Sequence, residues 1–123
     1  MTADDRFAYA FASYGFSGLP VQIFVYRNGS LVDVSRGYPS LLAADASAQF
    51  RRYRADLHFK EGLGVLAAWA ADEYRLGRRA HALATVRREN RLGHLRSSLA
   101  PVFPSGRAYI QKLIRFLRSN GYG

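Results

Sequence analysis

From Val21 to Arg36 the chain reads Val-Gln-Ile-Phe-Val-Tyr-Arg, then Asn28-Gly29, then Ser-Leu-Val-Asp-Val-Ser-Arg. β-branched residues alternate on both sides of Asn-Gly, a dipeptide suited to the positive φ angles of a type I′ turn. The segment is predicted to be a β-hairpin, with Val21, Ile23 and Val25 sharing one face of its first strand. Upstream, in Arg6–Tyr14, Phe7, Tyr9 and Phe11 alternate with alanines as a strand would. Thr2 followed by Asp5 nevertheless resembles a helix cap, and Phe7, Phe11 and Tyr14 also fit helical spacing. A strand is favoured there, because a lone hairpin is marginal and a third strand supports it.

From Ser40 onward the period changes to that of a helix. Ser40 follows Pro39 as an N-cap, and Leu42, Ala46, Phe50, Tyr53 and Leu57 form one stripe. Leu63–Leu76 is apolar almost all round through Ala71, Trp69 included, which predicts a central buried helix ended by Gly77. Arg79–Arg91 forms the next helix, with Ala82, Leu83 and Val86 facing the core. At Gly93 the apolar phase jumps, and Leu92, Leu95 and Leu99 begin a different short stripe. Pro101 and Pro104 punctuate a loop. The last helix runs from about Gly106 to Ser119 and stops at Asn120-Gly121. The expected class is α+β: a small antiparallel N-terminal sheet built on the 21–36 hairpin, with 6–14 as a third strand. It packs against about four C-terminal helices, with Trp69 near the centre.

A chain of 123 residues fits one domain, with 1–38 mainly β scaffold and 40–120 helical. Its 49% hydrophobic and 14% aromatic content supplies a core and argues against disorder. There is no cysteine, hence no disulfide, thiolate nucleophile or sulfur-ligated zinc. No apolar run reaches the length of a membrane span, and Asp4 and Asp5 stand where a signal peptide needs positive charge. A cytoplasmic location is the expectation that follows.

Charge divides the chain more sharply than any linker. Residues 1–50 carry net −1 and residues 51–73 carry net zero. Residues 74–123 carry eleven basic groups against Glu89 alone, net +10. Sixteen of the eighteen basic residues are arginine, the side chain suited to phosphate forks. On the Arg79–Arg91 helix, Ala80, Ala84, Arg87, Arg88 and Arg91 oppose the Leu83/Val86 side, with His81 beside them and Arg78 just ahead. On the last helix Arg107, Gln111, Arg115 and Arg118 gather on one side with Lys112 at its edge. Small alanines among arginines let a helix approach a groove while the long side chains reach phosphates or guanine edges. The expected nucleic-acid-binding residues are therefore Arg78, Arg79, Arg87, Arg88, Arg91, Arg107, Lys112, Arg115 and Arg118.

Catalytic and metal signatures are weak. His58, His81 and His94 include no pair at i, i+4, and His58 with Glu61 makes at most half a site. Nucleophile, P-loop and dinucleotide motifs are absent. No catalytic residue, metal site or cofactor is expected. A hairpin with a Gly turn followed by a helix bearing Arg51 resembles the start of the GIY-YIG nuclease domain. That family places tyrosines in both strands, where this chain has Gln22-Ile23-Phe24 and Asp33-Val34-Ser35, so the likeness implies a dead active site. The helix pair across Gly77 resembles a helix-turn-helix through Leu76, Gly77, Leu83 and Val86, although Glu73 and Arg78 depart from that pattern.

The expected function is non-enzymatic binding of DNA or RNA by a regulator or accessory factor. The rival is a small inhibitor or adaptor whose arginines dock on an acidic or nucleic-acid-processing protein partner. A further rival places the amphipathic last helix on a membrane surface. The sequence is compatible with a homodimer.

Overall fold

The structure, a computed structural model, describes residues 2–3, 20–56, 62–95 and 105–122. Strand β1 (Thr2–Ala3) pairs antiparallel with β2 (Val21–Gln22), and β3 (Phe24–Arg27) pairs antiparallel with β4 (Ser30–Asp33). The described residues then form four α-helices: α1 (Pro39–Asp56), α2 (Leu63–Arg75), α3 (Arg79–Arg91) and α4 (Gly106–Ser119). The class is α+β. The expected strand over Arg6–Tyr14 lies outside the described residues, as do Leu57, His58, Glu61 and Leu99.

Asn28 and Gly29 turn the hairpin with φ angles of 49° and 81°, as a type I′ turn requires. The ladder sets Val25 opposite Val32 and Tyr26 opposite Leu31. The second strand stops at Asp33, short of the expected Arg36. Ile23 still accepts a hydrogen bond from the Val34 N–H, but its own N–H donates to the Ser35 hydroxyl rather than to a backbone carbonyl. Ser35 in turn donates to the Asp33 carboxylate through both its N–H and its hydroxyl. The ladder is diverted by this side chain, and Ser35–Gly37 winds into a 3₁₀ turn that leads into α1. Ile23 is buried, with Val21 and Val25 half-buried, whereas Tyr26 and Leu31 near the tip are 73% and 69% exposed.

Helix α1 begins at Pro39 rather than after a Ser40 cap. Proline suits a first helical position, where its missing N–H has no intrahelical partner to lose. Its stripe turns inward as expected, with Leu42, Ala46 and Tyr53 buried and Phe50 half-buried. Every residue of α2 is buried. Gly62, at the entrance to α2, lies so close to α1 that an added Cβ would stand 2.8 Å from Tyr53 Cδ1. The Tyr109 hydroxyl of α4 donates to the Leu63 carbonyl at 2.6 Å, fastening α4 to the first turn of α2. Leu92 is 58% exposed while Leu95 is buried, so the expected Leu92–Leu95 stripe does not form. Leu92 falls on the capping turn of α3, which is directed by Gly93 and not by apolar phase.

The last turn of α2 carries charge into the interior. Asp72 Oδ1 accepts from Arg75 Nη2 at 2.6 Å, and both side chains are almost wholly buried. Burial first, and then a hydrogen bond with the Asp45 carboxyl, push the Asp72 pKa up to about 9. The hydrogen bond and charge of Arg75 work the other way but do not offset the rise. Asp45 also accepts from the Val21 N–H at 3.3 Å, which ties the sheet to α1.

Two expectations follow. Trp69→Ala should destabilise the fold by about 3–5 kcal/mol in denaturant unfolding, as truncation of a buried aromatic does. Asp72 holds a proton in the folded state that the unfolded chain releases. Its contribution is complete below the ordinary value of 3.8 and is lost as pH rises through about 9. Asp72→Asn, which keeps a neutral group of the same shape, should flatten the fall in melting temperature between about pH 5 and pH 9. Parallel curves for the parent and the variant would exclude a protonated Asp72 in the folded state.

Candidate nucleic-acid interface

Helix α3 presents two sides of opposite character. Ala82, Thr85, Val86 and Glu89 face the interior. Ala80, His81, Ala84, Arg87, Arg88 and Arg91 are exposed, and so are Arg78 and Arg79 at the entrance. Helix α4 buries Tyr109, Leu113 and Leu117 and exposes Arg107, Gln111, Arg115 and Arg118. Lys112 is half-buried, burial lowers its pKa, and it has a partner of its own. It therefore stands at the margin of the basic face, not within it. No carboxylate among the described residues pairs with Arg87, Arg91, Arg107, Arg115 or Arg118.

The two helices run antiparallel side by side. At one end the Gly106 N–H donates to the Leu95 carbonyl at 2.7 Å, and Gly106 lies against the Asn90 side chain. At the other end Arg79 and Arg118 line one depression with Tyr74 and Ile114. The Arg79 guanidinium carbon lies 5.9 Å from the centre of the Tyr74 ring. Arg79 at the start of α3 and Arg118 near the end of α4 thus border the same depression.

Glu89, the single acid of residues 74–123, is buried. Its Oε1 accepts from the Tyr53 hydroxyl at 2.6 Å and lies 3.0 Å from His94 Nδ1. Burial works to raise its pKa, but these two hydrogen bonds and the charges of His94 and Arg88 hold it below the ordinary value. Burial first, and then the hydrogen bond to Glu89, raises the Tyr53 pKa. The one carboxylate of this half of the chain is thus spent on joining α1 to the end of α3.

A groove between α1 and α3 borders the basic face. Phe50, Trp69 and Glu73 line it together with Arg51, Arg78, His81 and Arg88. Trp69 is buried but sits on this groove, at the edge of the core and not at its centre. Sequence reasoning missed the groove. Trp69 reads as an ordinary core residue, and Glu73 only as a departure from the helix-turn-helix pattern. The available signal was a charged residue at the end of the apolar Leu63–Ala71 run, one turn beyond the only tryptophan.

The two family likenesses fare differently from the charge pattern. In a helix-turn-helix the first helix lies across the nucleic-acid backbone. Helix α2, which would have that place, has no exposed residue. In the nuclease-like hairpin, Ile23 and Val34 are hydrogen-bonded neighbours, and their segments carry no tyrosine. No protein family, curated protein or solved structure matches the chain.

Because Arg87 and Arg91 are exposed and have no carboxylate partner among the described residues, Arg87→Ala combined with Arg91→Ala should leave stability within about 0.5 kcal/mol of the parent. Denaturant unfolding of the double variant measures this, and a larger loss would assign those arginines a structural role.

Proposed function

We propose that the protein binds nucleic acid, DNA or RNA, without chemistry, as a regulator or accessory factor. The reading rests on the exposed arginines of α3 and α4, whose elements contain no carboxylate except the inward-facing Glu89. An uncompensated arginine surface attracts polyanions and gains affinity from the counterions they release. Ala80 and Ala84 leave the middle of α3 low, so the flanking arginines can reach phosphates while the helix lies close to the strand.

An acidic protein partner would be drawn by the same charge, and binding to nucleic acid itself, with its salt slope, separates the two. If about 5–7 phosphates are neutralised, log affinity for duplex DNA should fall with log salt at a slope of roughly −4.5 to −6. Arg87→Ala with Arg91→Ala should make the slope shallower by about two units if each contacts one phosphate. Absence of binding to any nucleic acid at low salt would leave the protein-partner reading in its place.

A further inference from the structure

We propose that the groove between α1 and α3 captures a single unpaired guanine nucleotide, with the base on the groove floor and the phosphate on the arginine rim. The source of that nucleotide, a nucleic-acid strand, rests on the reading above; the groove's chemistry does not.

The groove encloses about 470 Å³, within the usual size of a small-molecule site. Its floor is aromatic. The Phe50 and Trp69 rings lie 5.0 Å apart, tilted by 49°, and His81 meets Trp69 edge-on at 6.0 Å. Glu73, 4% exposed, adds a carboxylate to that floor. Its Oε1 stands 3.8 Å from Arg78 Nη1, and its buried Oε2 has no hydrogen-bond partner. A buried acceptor without a donor is unfavourable, and a ligand that brings N–H groups relieves it. The rim is formed by the exposed arginines Arg51, Arg78 and Arg88.

Together these features define the ligand. The floor asks for a flat ring bearing N–H donors. The rim repels a free cation and asks for an attached anion. A nucleotide combines all three, and the donor pattern selects among bases. Guanine carries two adjacent donors on its pairing edge, the ring N–H and the exocyclic amine, which match the two oxygens of a carboxylate once the Glu73 side chain turns its buried Oε2 toward the ligand. Adenine and cytosine place a ring acceptor beside their single amine, where a carboxylate repels it. Uracil and thymine flank their one N–H with carbonyls. In a duplex the guanine edge is already engaged by cytosine, so the captured base must be unpaired. Arg88 belongs both to the groove rim and to the exposed side of α3, so a strand lying on α3 passes the mouth of the groove.

Trp69 is the only tryptophan, and its fluorescence reports on the floor. The test titrates the protein with the monophosphates of guanosine, inosine (which lacks the exocyclic amine), adenosine and cytidine. A second arm uses oligothymidylates carrying one central guanine, one central inosine or neither. Guanosine monophosphate should quench Trp69 saturably and bind at least about tenfold more tightly than the inosine form. Glu73→Gln should abolish that preference, with its fold checked by melting temperature. Arg51→Ala, at an exposed position, should weaken guanosine monophosphate several-fold and leave the guanine-to-inosine ratio unchanged. Strand binding without base preference and without a Trp69 response would overturn the groove proposal and leave the basic-face reading intact. Quenching by guanosine monophosphate with no strand binding would uphold the groove as a site for free nucleotide and overturn the reading of the basic face. Failure of both arms would overturn both.

Discussion

A thirteen-residue helix with no solvent-facing side chain has to be enclosed on every side, and α2 imposes that requirement on the elements around it. Helix α1 answers with Ala46, Phe50 and Tyr53, α3 with Ala82 and Val86, and α4 with Tyr109, Leu113 and Leu117. The demand is harsher at the last turn of α2, because burying charge is unfavourable unless partners are close and well oriented. Asp72 and Arg75 meet it through one short ion pair and the Tyr122 ring 5.2 Å from the Arg75 guanidinium, with Asp72 Oδ2 and Arg75 Nε and Nη1 left without hydrogen-bond partners. Glu73 meets it only in part. It lies where α1 and α3 line opposite sides of a groove, so the way α2 is enclosed also leaves a recess with a carboxylate at its floor.

Enclosure of α2 also fixes what remains outside. Each surrounding helix gives one side to the core, which leaves the other side of α3 and α4 to the arginines. Glu89 could have offset that charge from the surface. Drawn inward by Tyr53 and His94, it does so mainly for Arg88, whose Nε lies 3.8 Å from Glu89 Oε2. Arg87 and Arg91 project away from this pair, and interactions between exposed charges fade beyond about 8 Å at physiological salt. Among the described residues the arginines without a carboxylate nearby therefore include Arg87 and Arg91 on the outer ridge of α3, whereas Arg78 and Arg88 beside the groove each lie 3.8 Å from one.

Much of this architecture was legible because it is encoded locally. Asn28-Gly29 names its own turn. Gly77, Gly93 and Gly121 all take positive φ and close the same helix-ending motif. In each case the next residue's N–H returns to a carbonyl five residues back: Arg78 to Glu73, His94 to Glu89, Tyr122 to Leu117. Helix faces were legible for the same reason, since periodicity reports which side of one helix is apolar. The rest depends on contacts between elements. The end of β4 is decided by where the Ser35 hydroxyl goes, and the exposure of Leu92 by the direction of a capping turn. The α1–α3 groove is a property of two helices and a third beneath them, so no single-helix pattern contains it.

Adjacent in sequence and equally buried, Asp72 and Glu73 ended differently. Asp72 has an arginine at 2.6 Å and a pKa raised to about 9, although its Oδ2 also lacks a hydrogen-bond partner. Glu73 has one distant guanidinium and an oxygen with no partner. A fold optimised for stability alone would place an apolar residue at such a position, since replacing a poorly compensated buried charge commonly stabilises a protein. The alanines earlier in α2 show that small apolar side chains pack against α1 and α3 without difficulty. Residues that break a local rule without structural compensation are the ones to examine for function. By that criterion Glu73, with aromatic rings beside it and arginines above it, distinguishes the groove from a mere gap in packing.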